Sequence, residues 1–176
     1  MDREAPIEIV SYSPEWPVRF LAEAALLRVA LGPWLAADLE HIGSTAVPGM
    51  VAKPVIDIMG PVADLQSSRA AIAAAQRLGY SYFPYKPDQM HWFCKPSPQF
   101  RTHHLHLVPY HSALWHDRLD FRDALRNDSR LAANYRELKF ELAAKHRLDR
   151  EAYTDGKSSF VQAALAEWRA RGESAA

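Results

Sequence analysis

Val55-Ile56-Asp57-Ile58-Met59 sets a single carboxylate in the middle of a short, apolar, largely β-branched run. Such a run reads as a strand inside a sheet, since β-branched side chains fit a pleated surface and the stretch is short for a helix. A carboxylate buried there costs several kcal/mol unless a cation or hydrogen-bond donors compensate it. The chain must therefore fold so that Asp57 meets such a partner. Leu39 to Ile42 reads as another strand, leading directly into Gly43-Ser44-Thr45, and the loop that follows ends at Lys53-Pro54, just before the Asp57 strand. A turn of small residues after a strand lets a phosphate approach the backbone at Gly43. Ser44 and Thr45 add hydroxyls beside amides that open a helical turn.

The rest of the chain supplies a frame for this pair of strands. Ile7 to Val10 reads as a short strand, and Ser13-Pro14-Glu15-Trp16 as an N-cap, a proline at the first helical position and an acidic first turn. The helix they open keeps apolar spacing up to Gly32-Pro33. Ala63 to Leu78 predicts a helix stopped by Gly79. Tyr80 to Phe83 and Met90 to Cys94 predict strands about the Lys86-Pro87-Asp88 turn, and Thr102 to Val108 a strand closed by Pro109. Ala113 to Leu125, Ser129 to Lys145 and Ser158 to Ala170 are helical, with breaks at Asn127-Asp128-Ser129 and Thr154-Asp155-Gly156. Mixed elements followed by helices alone indicate an α+β class: a mixed β-sheet flanked by helices, with C-terminal helices added. The chain's 176 residues, 48% hydrophobic, suit one domain over residues 1–176, with a core of about 1–110 and a helical tail of about 111–176.

Charge narrows the partners. Lys and Arg number 21, Asp and Glu 21, so no overall field draws the protein to nucleic acid or an acidic membrane, and an anionic ligand must be caught locally. The expected partner is a nucleotide or another phosphate-containing small molecule. Cys94, the one cysteine, and a charged Met1 to Val10 stretch lead to the expectation of a cytoplasmic protein.

Asp57 reads either as a metal ligand or as an ion-pair partner of Lys53 or Arg101. Strand alternation puts His104 and His106 on one face and His103, with Leu105, on the other. With Asp57 the first two form a two-histidine, one-carboxylate set, which suits zinc, manganese or iron better than magnesium. They also read as proton-transfer groups, as donors to phosphate, or as strand histidines packed under a helix. Arg101 at the strand entrance is a candidate phosphate clamp, and Lys53 at the mouth of the Asp57 strand a candidate phosphate contact. His41, just before the glycine turn, reads as a pocket-lining residue or, preferably, as strand-end packing. The alternating charges of the Arg130 to Arg150 helix read as a solvated face.

The string from His41 to Ile58, the preceding Tyr12-Ser-Pro-Glu-Trp16 and the later Arg101-Thr-His-His-Leu-His-Leu together resemble the GrpB family over nearly the whole chain. That family is grouped with the nucleotidyltransferase superfamily, which has a DNA polymerase beta-like core. The resemblance implies that Gly43 and Ser44 contact phosphates, that Asp57 holds a divalent metal, and that Tyr153 and Lys157 come from the helical tail onto a nucleotide. The metal implied is Mg2+ or Mn2+, or Zn2+ or Fe2+ if the histidines ligate. One departure stands out: the superfamily's second strand carboxylate is missing, because Val55 and Met59 occupy both alternating neighbours of Asp57. Three readings follow: a metal-dependent nucleotidyltransferase acting on a small-molecule acceptor, a non-catalytic nucleotide-binding or regulatory module of the same fold, and a His/Asp metal-dependent hydrolase or lyase.

Overall fold

The pairing of the Asp57 strand decides the architecture. In a computed structural model describing residues 6–172, β1 (Glu40–Ile42) runs antiparallel to β2 (Ile56–Val62). The strand Arg101–Pro109 (β5) lies parallel to β2 on its other side, and β4 (His91–Pro96) and β3 (Ser81–Phe83) follow antiparallel. The spatial order is β1-β2-β5-β4-β3, a mixed sheet as expected. Register sets Asp57 opposite His104 and Met59 opposite His106.

Side-chain alternation divides the sheet into two apolar faces. Ile56, Ile58, Phe93, Leu105 and Leu107 face α1 (Glu15–Leu31) and α2 (Ala70–Arg77). Ile42, Met59 and Val108 lie under Trp115 and Leu119 of α3 (Ala113–Asn127). Each fully buried aliphatic side chain contributes about 1.5–3 kcal/mol. The tail continues through α4 (Ser129–Lys145), α5 (Arg150–Asp155) and α6 (Ser158–Ala170). Side chains of Ser112, Asp128 and Asp149 accept from Trp115 N, Leu131 N and Ala152 N, which caps α3, α4 and α5. Arg169 of α6 ties back to Asp117 and Asp120 of α3 at 2.6 and 2.9 Å.

The loop between β1 and β2 is held by this tail. Arg126 donates to the Ala46 carbonyl at 3.0 and 2.7 Å, Arg136 to that of Gly49 at 3.0 Å, and Lys139 to that of Val51. Val47 and Met50 pack beside Leu125 and Tyr135. Side-chain cations thus satisfy carbonyls of a loop that has no ladder of its own.

Several boundaries differ from the sequence reading. Ile7 to Val10 is not a strand; only Val10 pairs, through an isolated bridge to Ala52, and residues 1–5 lie outside the described chain. Helix α1 starts at Glu15 with Pro14 as its N-cap, while Ser13 Oγ accepts from Glu15 N at 3.2 Å. The Ala63 to Leu78 helix shrinks to α2 because Asp64 accepts from Ser67 N and Ser67 Oγ, both at 2.7 Å, which holds the first residues in turns. Thr154 and Asp155, read as a break, close α5 instead. No helix among the described residues is long and apolar enough to cross a membrane.

Gly60 tests how tightly the sheet packs. A Cβ added there would meet leucine Cδ2 atoms of Leu107, Leu39 and Leu35 at 2.9, 3.0 and 3.2 Å. Gly60→Ala is expected to lower unfolding free energy by about 1–3 kcal/mol in urea titration, the cost of overpacking; an unchanged midpoint would mean the three leucines yield freely.

Candidate functional site

On the α3 side of the sheet, β2 and β5 change from apolar to polar as they leave the cover of Trp115 and Leu119. Met59 and Val108 lie under the helix, while Asp57, His104 and His106 lie in the next positions along the strands. Asp57 Oδ1 is 2.9 Å from His104 Nδ1 and 3.4 Å from His106 Nε2. A carboxylate only accepts, so these nitrogens carry the protons. Burial alone would raise the Asp57 carboxyl, but donation from both histidines outweighs it and holds the group well below the usual carboxylate range. Burial also lowers the His106 imidazole, with Asp57 opposing. Their other nitrogens, His104 Nε2 and His106 Nδ1, are buried without a hydrogen-bond partner. The Asp57 side chain retains 28% of its surface, so the carboxylate faces an opening.

Gly43 makes that approach to Asp57 geometrically feasible. It has φ +71°, and a Cβ at this position would sit 2.7 Å from Asp57 Oδ2. The following Ser44–Ala46 segment is a single 3-10 turn, with Ser44 within hydrogen-bonding reach of the Tyr135 phenol. Thr45 turns away from the opening. It is 2% exposed and its Oγ1 is 2.9 Å from His41 Nε2, so its hydroxyl braces the turn instead of meeting a ligand. His41 stacks on Phe20 at 4.7 Å, the packing role its position suggested.

A group of cations gathers beside the carboxylate. Lys53 Nζ lies 4.9 Å and Lys157 Nζ 4.4 Å from the centroid of the Tyr153 ring. Tyr153 itself is 1% exposed and packs with Ile7 and Leu142, so it acts as a buried floor for the two lysines and not as a surface for a base. Arg101 sits apart from this group, bonded to the Pro98 carbonyl at 2.8 Å and lying over Trp92, whose ring meets His104 at 5.1 Å. His103 belongs to the other sheet face, with Nδ1 2.9 Å from Thr102 Oγ1.

Three further residues join the site without having been singled out from sequence. Lys139 is 2% exposed and its Nζ is 5.1 Å from the Tyr135 ring centroid, so the α4 charges are not all a solvated face. The signal was the Tyr135/Lys139 spacing, which puts both on one stripe of the helix. Arg118, exposed on α3, adds its positive field to His106, Tyr135 and Lys157. The whole set can receive an anion at the lysines and a cation at Asp57. The donor atoms of Asp57, His104 and His106 lie within 4.8 Å of one another, near enough to share one ion.

The family described as GrpB protein matches residues 6–167. UPF0157 protein PA4798 of Pseudomonas aeruginosa is 44% identical over 161 residues, 88% of this chain and 64% of that protein, so the chain spans just under two thirds of that relative's length. The crystal structure of conserved protein GrpB from Enterococcus faecalis superposes with a TM-score of 0.82 at 30% identity, covering 92% of this chain and 96% of that one. The Cid1 poly(U) polymerase with Mg 3'-dATP bound gives a TM-score of 0.55 at 13% identity, over 84% of this chain and 49% of that one. That last likeness concerns the fold alone, which is of the nucleotidyltransferase type.

Lys139 and Lys157 are both pushed down to about 7, by burial first and then by neighbouring cations, with Lys53 acting on each. A lowered ammonium means that the folded chain binds fewer protons than the unfolded one between about pH 7 and the ordinary lysine value near 10.5. Unfolding free energy should therefore rise with pH through this window, the penalty being complete below it. Urea unfolding at pH 7 and pH 9 is expected to show that rise in the parent and a smaller one in Lys139→Met. Equal rises in both would remove Lys139 from the account.

Proposed function

The chain belongs to the GrpB family, and on that premise we propose that its site binds a nucleotide or related phosphate-bearing small molecule against a divalent cation and transfers the nucleotidyl group to a small-molecule acceptor. The observation carrying this reading is the convergence of Asp57, His104 and His106 at one opening with the Lys53, Lys139 and Lys157 group beside it. One carboxylate and two imidazoles are a donor set for one borderline cation such as Mn2+, Zn2+ or Fe2+, which His104 Nδ1 and His106 Nε2 would ligate with their protons moved to the far ring nitrogens. A bound ion would supply charge neutralisation to phosphate oxygens. The residues do not suit a pair of magnesium ions, because Val55 and Met59 flank Asp57.

The chain's own side chains account for the remaining requirements. Lys53, Lys139 and Lys157 receive the phosphate charge. Lys139 is buried and Lys53 and Lys157 are half-buried, so water is partly excluded and each contact to an oxyanion is stronger than at an open surface. Gly43 leaves room for the ligand's approach past Asp57, and Ser44 offers a hydroxyl at the same edge. The histidines hold the carboxylate ionised and oriented. The sequence expectation of no nucleic-acid partner rests on the chain's charge balance; Cid1, a poly(U) polymerase, keeps an RNA acceptor as the alternative to test.

The missing second carboxylate favours one other reading, a module that binds the nucleotide without transferring it. Asp57→Asn separates the readings. The substitution nearly preserves shape and weakens the charge-assisted bonds from the histidines, at about 1–3 kcal/mol of folding stability. For a transferase it is expected to lower metal-dependent turnover roughly 100- to 1,000-fold, equivalent to about 3–4 kcal/mol. Turnover is read as pyrophosphate release from nucleoside triphosphates with Mn2+, Zn2+ or Mg2+, beside a thermal-shift screen of the same ligands. Nucleotide stabilisation without pyrophosphate release in the parent would replace the transferase with the binding module. A folded Asp57→Asn protein with unchanged metal response would remove Asp57 from the site.

A further inference from the structure

Helix α3 carries Arg118, Arg122 and Arg126 at four-residue spacing, which stacks them along one stripe. Two of them hold the fold together. Arg122 donates to Glu40 at 2.6 Å, to the His41 carbonyl at 3.2 Å and to Asp123 at 2.7 Å, and Arg126 donates to the Ala46 carbonyl. Arg118, the third, makes neither a hydrogen bond nor an ion pair among the described residues. The acids nearest to it along the helix are committed elsewhere, Asp117 and Asp120 to Arg169 at 2.6 and 2.9 Å, and Asp123 to Arg122.

The direction of Arg118 is nonetheless inward. At about 100° per residue it projects roughly 60° from Trp115 on one side and roughly 60° from Phe121 on the other. Trp115 packs on the sheet, and Phe121 meets the Tyr135 ring of α4 at 5.2 Å. Arg118 therefore points into the angle between the sheet and the helical tail. Leu125, about two turns on and within about 20° of the same direction, is 3% exposed, whereas Arg118 is exposed. The angle is closed at Leu125 and open to solvent at Arg118. That opening is the one in which Asp57 stands, because His106, Tyr135 and Lys157 feel both the Arg118 charge and the Asp57 charge.

A cation in that place is unfavourable in the free chain. It stands with Lys53, Lys139 and Lys157 about one carboxylate that two histidines already serve, although the charges of the whole chain balance. An anion entering the opening relieves that repulsion. We propose that Arg118 is a ligand-binding residue that grips a phosphate group of the ligand from the α3 side, facing the lysines, with paired guanidinium donors on two phosphate oxygens. The planar fork of arginine matches phosphate in this way, where a lysine offers a point charge. The stripe thus divides its labour, Arg122 and Arg126 bracing β1 and its loop while Arg118 is left for what the loop surrounds. The inference rests on the proposed function only in that the ligand bears phosphate, and it holds alike for a transferase and for a binding module.

Titration calorimetry of the full chain in Mn2+, with inorganic pyrophosphate and with each of the common nucleoside triphosphates, tests it. For a probe that binds the parent, Arg118→Ala is expected to raise Kd about tenfold. Arg118→Lys, which keeps the charge and loses the paired donors, is expected to fall between the two. Arg77→Ala removes an exposed arginine of α2, on the other face of the sheet, and should change Kd by less than about twofold. Thermal melts without ligand separate a ligand contact from a structural one: Arg118→Ala removes repulsion and no bond, so it should melt at the parent's temperature or above. A Kd for Arg118→Ala within about twofold of the parent's overturns the inference and leaves the proposed function standing. So does an equal loss in Arg77→Ala, or a lowered melting temperature of ligand-free Arg118→Ala. A parent that binds none of the probes overturns both.

Discussion

A carboxylate inside a sheet needs donors, and the parallel pairing of β2 with β5 provides them. With Asp57 opposite His104 in register, strand alternation delivers His106 to the same face. The two imidazoles donate to a single oxygen, Oδ1, at 2.9 and 3.4 Å. That leaves Oδ2 beside Gly43, where any side chain would collide. The glycine, the histidines and the opening above them are thus consequences of one charge placed at one strand position. A shift of either strand by one residue would send Asp57 or the histidines to the α1 side, into an apolar core with no compensation.

The helical tail completes what the sheet begins. Arg126, Arg136 and Lys139 reach from two helices to the Ala46, Gly49 and Val51 carbonyls of the β1–β2 loop, bracing it from outside the sheet. Lys139 serves twice, as a donor to Val51 and as a member of the cation group with Lys53 and Lys157. Burial first, then neighbouring cations, make the Lys139 and Lys157 amines easy to deprotonate when nothing anionic is near. On the proposed function an arriving phosphate would reverse that balance and couple ligand binding to proton uptake near neutral pH. Sheet, loop and tail therefore meet at the same few atoms.

Much of this was legible in the chain because local signals and tertiary placement agree. The α4 and α6 boundaries follow from apolar period and flanking turns, and the shared face of His104 and His106 from strand alternation alone. Other features depend on contacts between distant residues. Thr45 looks like a phosphate donor until His41 takes its hydroxyl, and Tyr153 like a stacking platform until Leu142 and Ile7 bury it. Lys139 shares the helix stripe of the buried Tyr135, a weak signal by itself, and the docking of α4 on the β1–β2 loop is what turns it inward. Asp64 stops α2 from starting early through a side-chain turn that apolar spacing does not report.

We propose that Asp57, His104 and His106 together hold one divalent cation. Pulsed electron paramagnetic resonance of the chain loaded with Mn2+ tests it directly, since the metal reports the nuclei bound to it. Hyperfine coupling to two imidazole nitrogens is predicted, one of them lost in His104→Ala and the other in His106→Ala. A spectrum of manganese ligated by water alone, unchanged by either substitution, would contradict the account.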